Sequence, residues 1–96
     1  MAYKIVVSPT AQIEIYDAMD YYDEISISLT AKFYADLQSS YSALLLNPDY
    51  RIFYNKLRMI PLKKFPFILL FTINGNEIVI NACFHTSKNP KKYPGK

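Results

Sequence analysis

The sequence predicts an α+β fold, with a helical hairpin packed on one face of a mostly antiparallel sheet. Three observations carry that expectation. Apolar residues recur at helical spacing in two successive stretches of the first half, each with its own start signal. The second half then changes to strand-like alternation and a continuous apolar run. An Asn-Gly pair joins the last two strand candidates.

Taken in order, Tyr3 to Val7 is short and rich in β-branched residues and reads as a strand. Ser8-Pro9 opens a helix, because Ser8 can cap it and Pro9 suits a first helical position whose N–H has no partner. Ala11, Ile15, Ala18 and Tyr22 share one face of that helix, with the acids Glu14, Asp17 and Asp20 largely off it. The pattern breaks around residues 25–28, where Ser28 is the expected cap of a second helix. Phe33, Leu37, Tyr41, Leu44 and Leu45 form its apolar stripe, and Asn47-Pro48 ends it. Two helices joined so tightly form an antiparallel hairpin.

Residues 50–54 read as a short strand or extended loop. Residues 56–63 alternate weakly, and Pro61 marks an edge strand or a local bulge. Residues 65–73 are continuously apolar, as in a strand covered on both faces or nearly so. Asn74-Gly75 is the expected hairpin turn, and residues 77–84 form the returning strand. A basic, proline-containing tail follows His85. The order is β-α-α-β-β-β.

Ninety-six residues suit a single domain, 1–96, with one modest core. A 51% hydrophobic and 16% aromatic composition excludes a disordered chain. No apolar run approaches the ~18 residues of a membrane span. The N-terminus lacks the pattern of a secretory signal, and a lone cysteine, Cys83, makes no internal disulfide. A cytoplasmic location without membrane association is the expectation.

Charge is unevenly divided. Residues 1–50 carry two basic side chains against seven acidic ones, net −5, whereas residues 51–96 carry nine against one, net +8. The basic half is interleaved with aromatics, which points to a polyanionic or acidic partner.

The chain resembles the RelE/ParE superfamily of toxins from bacterial type II toxin–antitoxin systems. The resemblance covers nearly the whole chain. It rests on the opening strand followed by Ser8-Pro9-Thr10-Ala11, Tyr21-Tyr22 ending the first helix, and Leu46-Asn47-Pro48 closing the second. Leu57-Arg58-Met59-Ile60, Lys64-Phe65-Pro66-Phe67, and residues 80–85 followed by Lys88-Asn89-Pro90 complete it. The resemblance implies a RelE/ParE-like fold and a small toxin neutralised by an antitoxin encoded beside it, as in plasmid stabilisation. It implies one of two actions. RelE-like members cut mRNA on the ribosome without a metal, and ParE-like members bind DNA gyrase. A toxin-like fold that only binds its partner is a third reading.

Metal-free RNA cleavage requires a base, an acid and a cation around one phosphate. Arg58, Lys64 and His85 are the candidates for that chemistry. Arg58 matches an arginine common on this strand in the superfamily and can clamp phosphate, or it can serve as a structural ion pair. His85, the single histidine, is the natural acid/base, or is satisfied by a backbone carbonyl at a strand end. RelE-like nucleases end this strand in a richer cluster of Arg, His and Tyr. The ending here is closer to the ParE type, with Lys88 where Arg is commoner. Cys83 and His85 sit on the same side of a strand, too far apart for a thiolate–imidazole pair and too few for zinc. Glu14, Asp17, Asp20, Asp23 and Glu24 read as a solvated helix face.

The expectation is therefore a ParE-like toxin without metal or cofactor. Arg58, Lys63, Lys64, Lys88, Lys91 and Lys92 are its candidate antitoxin- or target-binding residues. Its partners would be a cognate antitoxin and DNA gyrase, or the ribosome and mRNA, in a homodimer or a toxin–antitoxin hetero-oligomer.

Overall fold

A computed structural model describes residues 2–50 and 52–86. The chain runs β1 (Lys4–Val7), α1 (Pro9–Ile25), α2 (Ile27–Leu46), β2 (Ile52–Tyr54), β3 (Leu57–Pro61), β4 (Phe67–Asn74) and β5 (Glu77–His85). The α+β architecture is the expected one. Residues 52–54 form a strand of their own at the sheet edge. The sheet order is β1-β5-β4-β3-β2, with β1 parallel to β5 and the other neighbours antiparallel. No described helix is long and apolar enough to cross a membrane.

α1 begins where its sequence requires. Ser8 is extended, its Oγ accepts from the Ala11 N–H at 3.2 Å, and Pro9 takes the first turn. Ser8 N–H also donates to the Ile80 carbonyl at 2.9 Å, so the cap residue prolongs the β1–β5 ladder. Ala11, Ile15, Ala18 and Tyr22 are all buried.

The corner between the helices is a single residue, Ser26. Its N–H donates to the Tyr22 carbonyl at 2.8 Å and its Oγ accepts from the Ser28 N–H at 3.2 Å. The second cap is therefore Ser26 rather than Ser28. Ser26 is the serine held in an extended conformation (φ −169°, ψ 132°), which aims its hydroxyl back at the first turn. The Thr30 hydroxyl adds a 2.5 Å hydrogen bond to the Asp23 carboxylate across the corner. On α2, Phe33, Leu37 and Leu44 are buried, Tyr41 is half-buried, and Leu45 lies at the edge of the stripe, 41% exposed. The helix ends at Leu46, ahead of Asn47-Pro48.

β4 starts at Phe67 rather than at residue 65. Pro66 lacks the N–H a ladder needs, and Lys63, Lys64 and Phe65 are bound elsewhere. Pro61 closes β3 opposite Ile68, beyond the β2 pairing, so its missing N–H interrupts no bond to β2. The β4–β5 turn is Gly75-Asn76, one residue later than expected. Gly75 alone in it takes positive φ (63°), as at the first position of a type II′ turn, while Asn74 pairs with Glu77 in the ladder.

β5 carries a bulge. Leu70 pairs with Ala82 but Phe71 pairs with Ile80, leaving Asn81 as the extra residue. The Asn81 Nδ2 donates to Thr72 Oγ1 and to the Val79 carbonyl, each at 3.2 Å. The bulge shifts the alternation, so that Ile78, Ile80 and Cys83 all join the core under the helices. At the centre of that core Tyr22, Phe33, Phe65 and Phe67 pack as an aromatic cluster, with centroids 5.1–6.4 Å apart.

Candidate functional site

The candidate residues separate into two places. Arg58 on β3 pairs with Phe71, on the face that the helices cover. Its Nη1 donates to the Tyr50 carbonyl at 2.7 Å and to the Asp49 carboxylate at 3.1 Å. Asp49 follows α2, so the arginine ties the helical hairpin's exit to the sheet. The Asp49 side chain is 80% exposed, which makes the carbonyl the firmer anchor of the two. Ile52, Asn55, Lys56 and Ile73 surround Arg58 in a shallow pocket of about 220 Å³.

His85 ends β5 opposite Phe67, with the two rings edge to face at 5.0 Å. Along β4, Phe71 and Phe67 are four residues apart, so Arg58 and His85 stand about 13 Å apart in the strand direction. Lys63 and Lys64 occupy the β3–β4 loop at the His85 end, where the Thr86 N–H donates to the Pro66 carbonyl at 2.8 Å. The fold thus brings Lys63, Lys64 and His85 to one end of the sheet and sets Arg58 apart from them, near the start of β3. Lys88, Lys91 and Lys92 lie outside the described residues.

The lysine loop is organised by Asp36, which sequence reasoning had counted only as a charge. Asp36 lies on α2 and is 5% exposed. Its carboxylate accepts the backbone N–H groups of Lys63 (3.3 Å), Lys64 (2.7 Å) and Phe65 (3.1 Å). Three donors in a row satisfy a buried carboxylate and fix the loop against the helix. Ser40 supports this turn of α2 by donating to the Asp36 carbonyl at 3.2 Å. The signal was present in the sequence: Asp36 falls three residues after Phe33 and beside Leu37, a charge on a stripe that must be buried.

A groove of about 480 Å³ runs between α2 and this loop. Leu29, Ala35 and Phe65 contribute apolar lining, and Lys32, Lys63 and Lys64 contribute charge. None of the three lysines is ion-paired among the described residues.

Glu14 is the second acid with an unforeseen position. Its carboxylate accepts the Cys83 N–H at 2.8 Å, past the end of β1, where the β5 edge has no strand partner. Burial, and after it the nearby Glu14 charge, push the Cys83 thiol up to about 12. A thiol so placed is a packing group, not a nucleophile. Asp17, Asp20, Asp23 and Glu24 are exposed on α1. Among the described residues no three His, Cys, Asp or Glu side chains are arranged to hold a metal.

Neither a protein-family model nor a curated protein matches the sequence. The fold does have a solved counterpart: a chain of the chromosomal ParDE TA system from P. aeruginosa, 19% identical, superposes with a TM-score of 0.76 over 88% of this chain and 97% of that one. At that identity the likeness is one of architecture, and the β-α-α-β-β-β-β order with its hairpin-covered sheet is a ParE-like fold.

Proposed function

We propose that this chain is the toxin of a type II toxin–antitoxin module, of the ParE-like kind. It arrests growth by binding a protein target such as DNA gyrase and is neutralised by an antitoxin encoded beside it. The observation that carries this reading is the match in fold to a chain of a ParDE system over nearly the full length of both chains. The dispersal of the nuclease candidates supports binding over RNA cleavage. Arg58, held by the Tyr50 carbonyl and Asp49, and His85, edge to face with Phe67, stand about 13 Å apart along the strands. A general acid and a phosphate clamp must reach one phosphate together.

Inducible expression without a partner tests the reading. Growth arrest with induction of the DNA-damage response and intact translation is the expected outcome. The His85→Ala variant should arrest growth as the parent does. Rapid mRNA cleavage at the ribosomal A site, abolished in His85→Ala, would establish the RelE-like nuclease instead. Normal growth at full expression would leave a binding module with a toxin-like fold.

A further inference from the structure

We propose that β1 is a pairing edge for a second copy of this chain. Two β1 strands run antiparallel about a two-fold axis at Val6 and join the two sheets into one. The pairing goes beyond the toxin reading and does not depend on it.

The backbone of β1 is committed on one side only. In a parallel ladder, a residue that bonds its neighbour turns both its N–H and its C=O toward that neighbour, and the next residue turns both away. The Lys4 N–H donates to the Asn76 carbonyl and the Ser8 N–H to the Ile80 carbonyl, each at 2.9 Å, so positions 4, 6 and 8 face β5. Ile5 and Val7 face the other way. β1 is the outermost strand, and among the described residues no strand lies beside those outward groups. Such a row of free donors and acceptors is a template for another strand.

The fold guards its other margins. Past the end of β1, the Glu14 carboxylate takes the Cys83 N–H at 2.8 Å. At the far side of the sheet, β2 is three residues long and irregular in register, which blunts an edge. β1 lacks these devices. It is regular over four residues, contains no proline, and its one charge, Lys4, is paired with Glu77 at 3.4 Å. The edge is also complementary to itself. With the axis at Val6, Ile5 lies opposite Val7 of the partner subunit, and their outward groups exchange hydrogen bonds. Ile5 and Val7 pack on the core from the face the helices cover, so Val6, half-buried, lies on the other face and meets Val6 of the partner subunit. Lys4 lies opposite Ser8 of the partner subunit, which keeps the two Lys4 charges about 13 Å apart along the strands. A two-fold contact of this kind closes on itself and stops at a dimer.

Sedimentation velocity of the full chain over a concentration series, with hydrogen exchange followed at single amides, provides the test. A monomer–dimer equilibrium is expected. The Ile5 and Val7 amides should gain protection as the dimer fills, while the Val6 amide, bonded to β5, stays protected throughout. Val6→Lys should melt as the parent and weaken dimerisation at least about tenfold, because it sets like charges directly opposite each other. Val6→Glu should do the same, and mixing the two variants should restore the dimer. Should either variant fold poorly, the exchange pattern of the parent chain decides alone. A chain that stays monomeric, with Ile5 and Val7 amides that exchange freely at every concentration, would overturn the proposal and leave the edge to a strand of another polypeptide. A dimer in which those two amides gain no protection, or one that Val6→Lys leaves intact, would overturn it by placing the contact on another surface.

Discussion

Single residues settle two questions that composition leaves open. Asp36 offers its carboxylate to three N–H donors, and its loss would leave those groups to be hydrated in a half-buried loop. Asp36→Ala should cost about 2 kcal/mol in urea unfolding, with smaller loss in Asp36→Asn, which keeps one acceptor. Cys83 makes a pH prediction. Its folded-state value is raised from about 9 to about 12, so between those values the folded chain keeps a proton that the unfolded chain has released. The stabilising contribution is therefore complete below pH 9 and is lost as the pH climbs toward 12, at up to about 1.4 kcal/mol per pH unit. Tyr41, pushed up to about 12 chiefly by burial, acts in the same direction above its ordinary value. Cys83→Ala should flatten the alkaline slope of stability without abolishing it, as thermal melts across that range will show. An unchanged slope would place the titration elsewhere.

At the scale of elements, the helices were legible because their physics is local. A Ser-Pro start, two apolar stripes and an Asn-Pro stop each act within a turn or two of the residues that encode them. The corner was less so. Serine at either 26 or 28 is of a type that can cap a helix, and the choice depends on which backbone the packed hairpin holds extended. Ser26→Ala should destabilise by about 1 kcal/mol and Ser28→Ala by much less, measured as urea midpoints. The sheet shows the same division. The Asn-Gly signal located the hairpin, but the turn is Gly75-Asn76, since register belongs to the paired strands and not to the turn residues alone. The Asn81 bulge had no sequence signal. It appears only when β4 and β5 are laid side by side, and without it Ile78, Ile80 and Cys83 could not face one core.

On the scale of the whole molecule, the fold divides the charge as the sequence does. The acids Asp17, Asp20, Asp23 and Glu24 stand exposed on α1, and Lys63 and Lys64 stand exposed at one end of the sheet. A chain so divided should meet an acidic partner quickly at low salt. Association with the proposed antitoxin should slow roughly tenfold or more between 50 and 500 mM salt while dissociation changes little, as surface-immobilised kinetics would record. A salt-independent association rate would mean that the apolar surface alone drives encounter.

The sequence by itself determined the α+β class, the helical hairpin, its buried face and the basic character of the second half. These follow from periodicity, capping and charge, which neighbouring residues express without help. The tertiary structure alone decided that Arg58 and His85 stand about 13 Å apart along the strands, that Glu14 covers the open edge of β5, and that Asp36 holds the lysine loop. Those relations join residues 27 to 69 positions apart. A carboxylate facing backbone N–H groups leaves no pattern in the residues that supply them, because any residue but proline supplies the same donor.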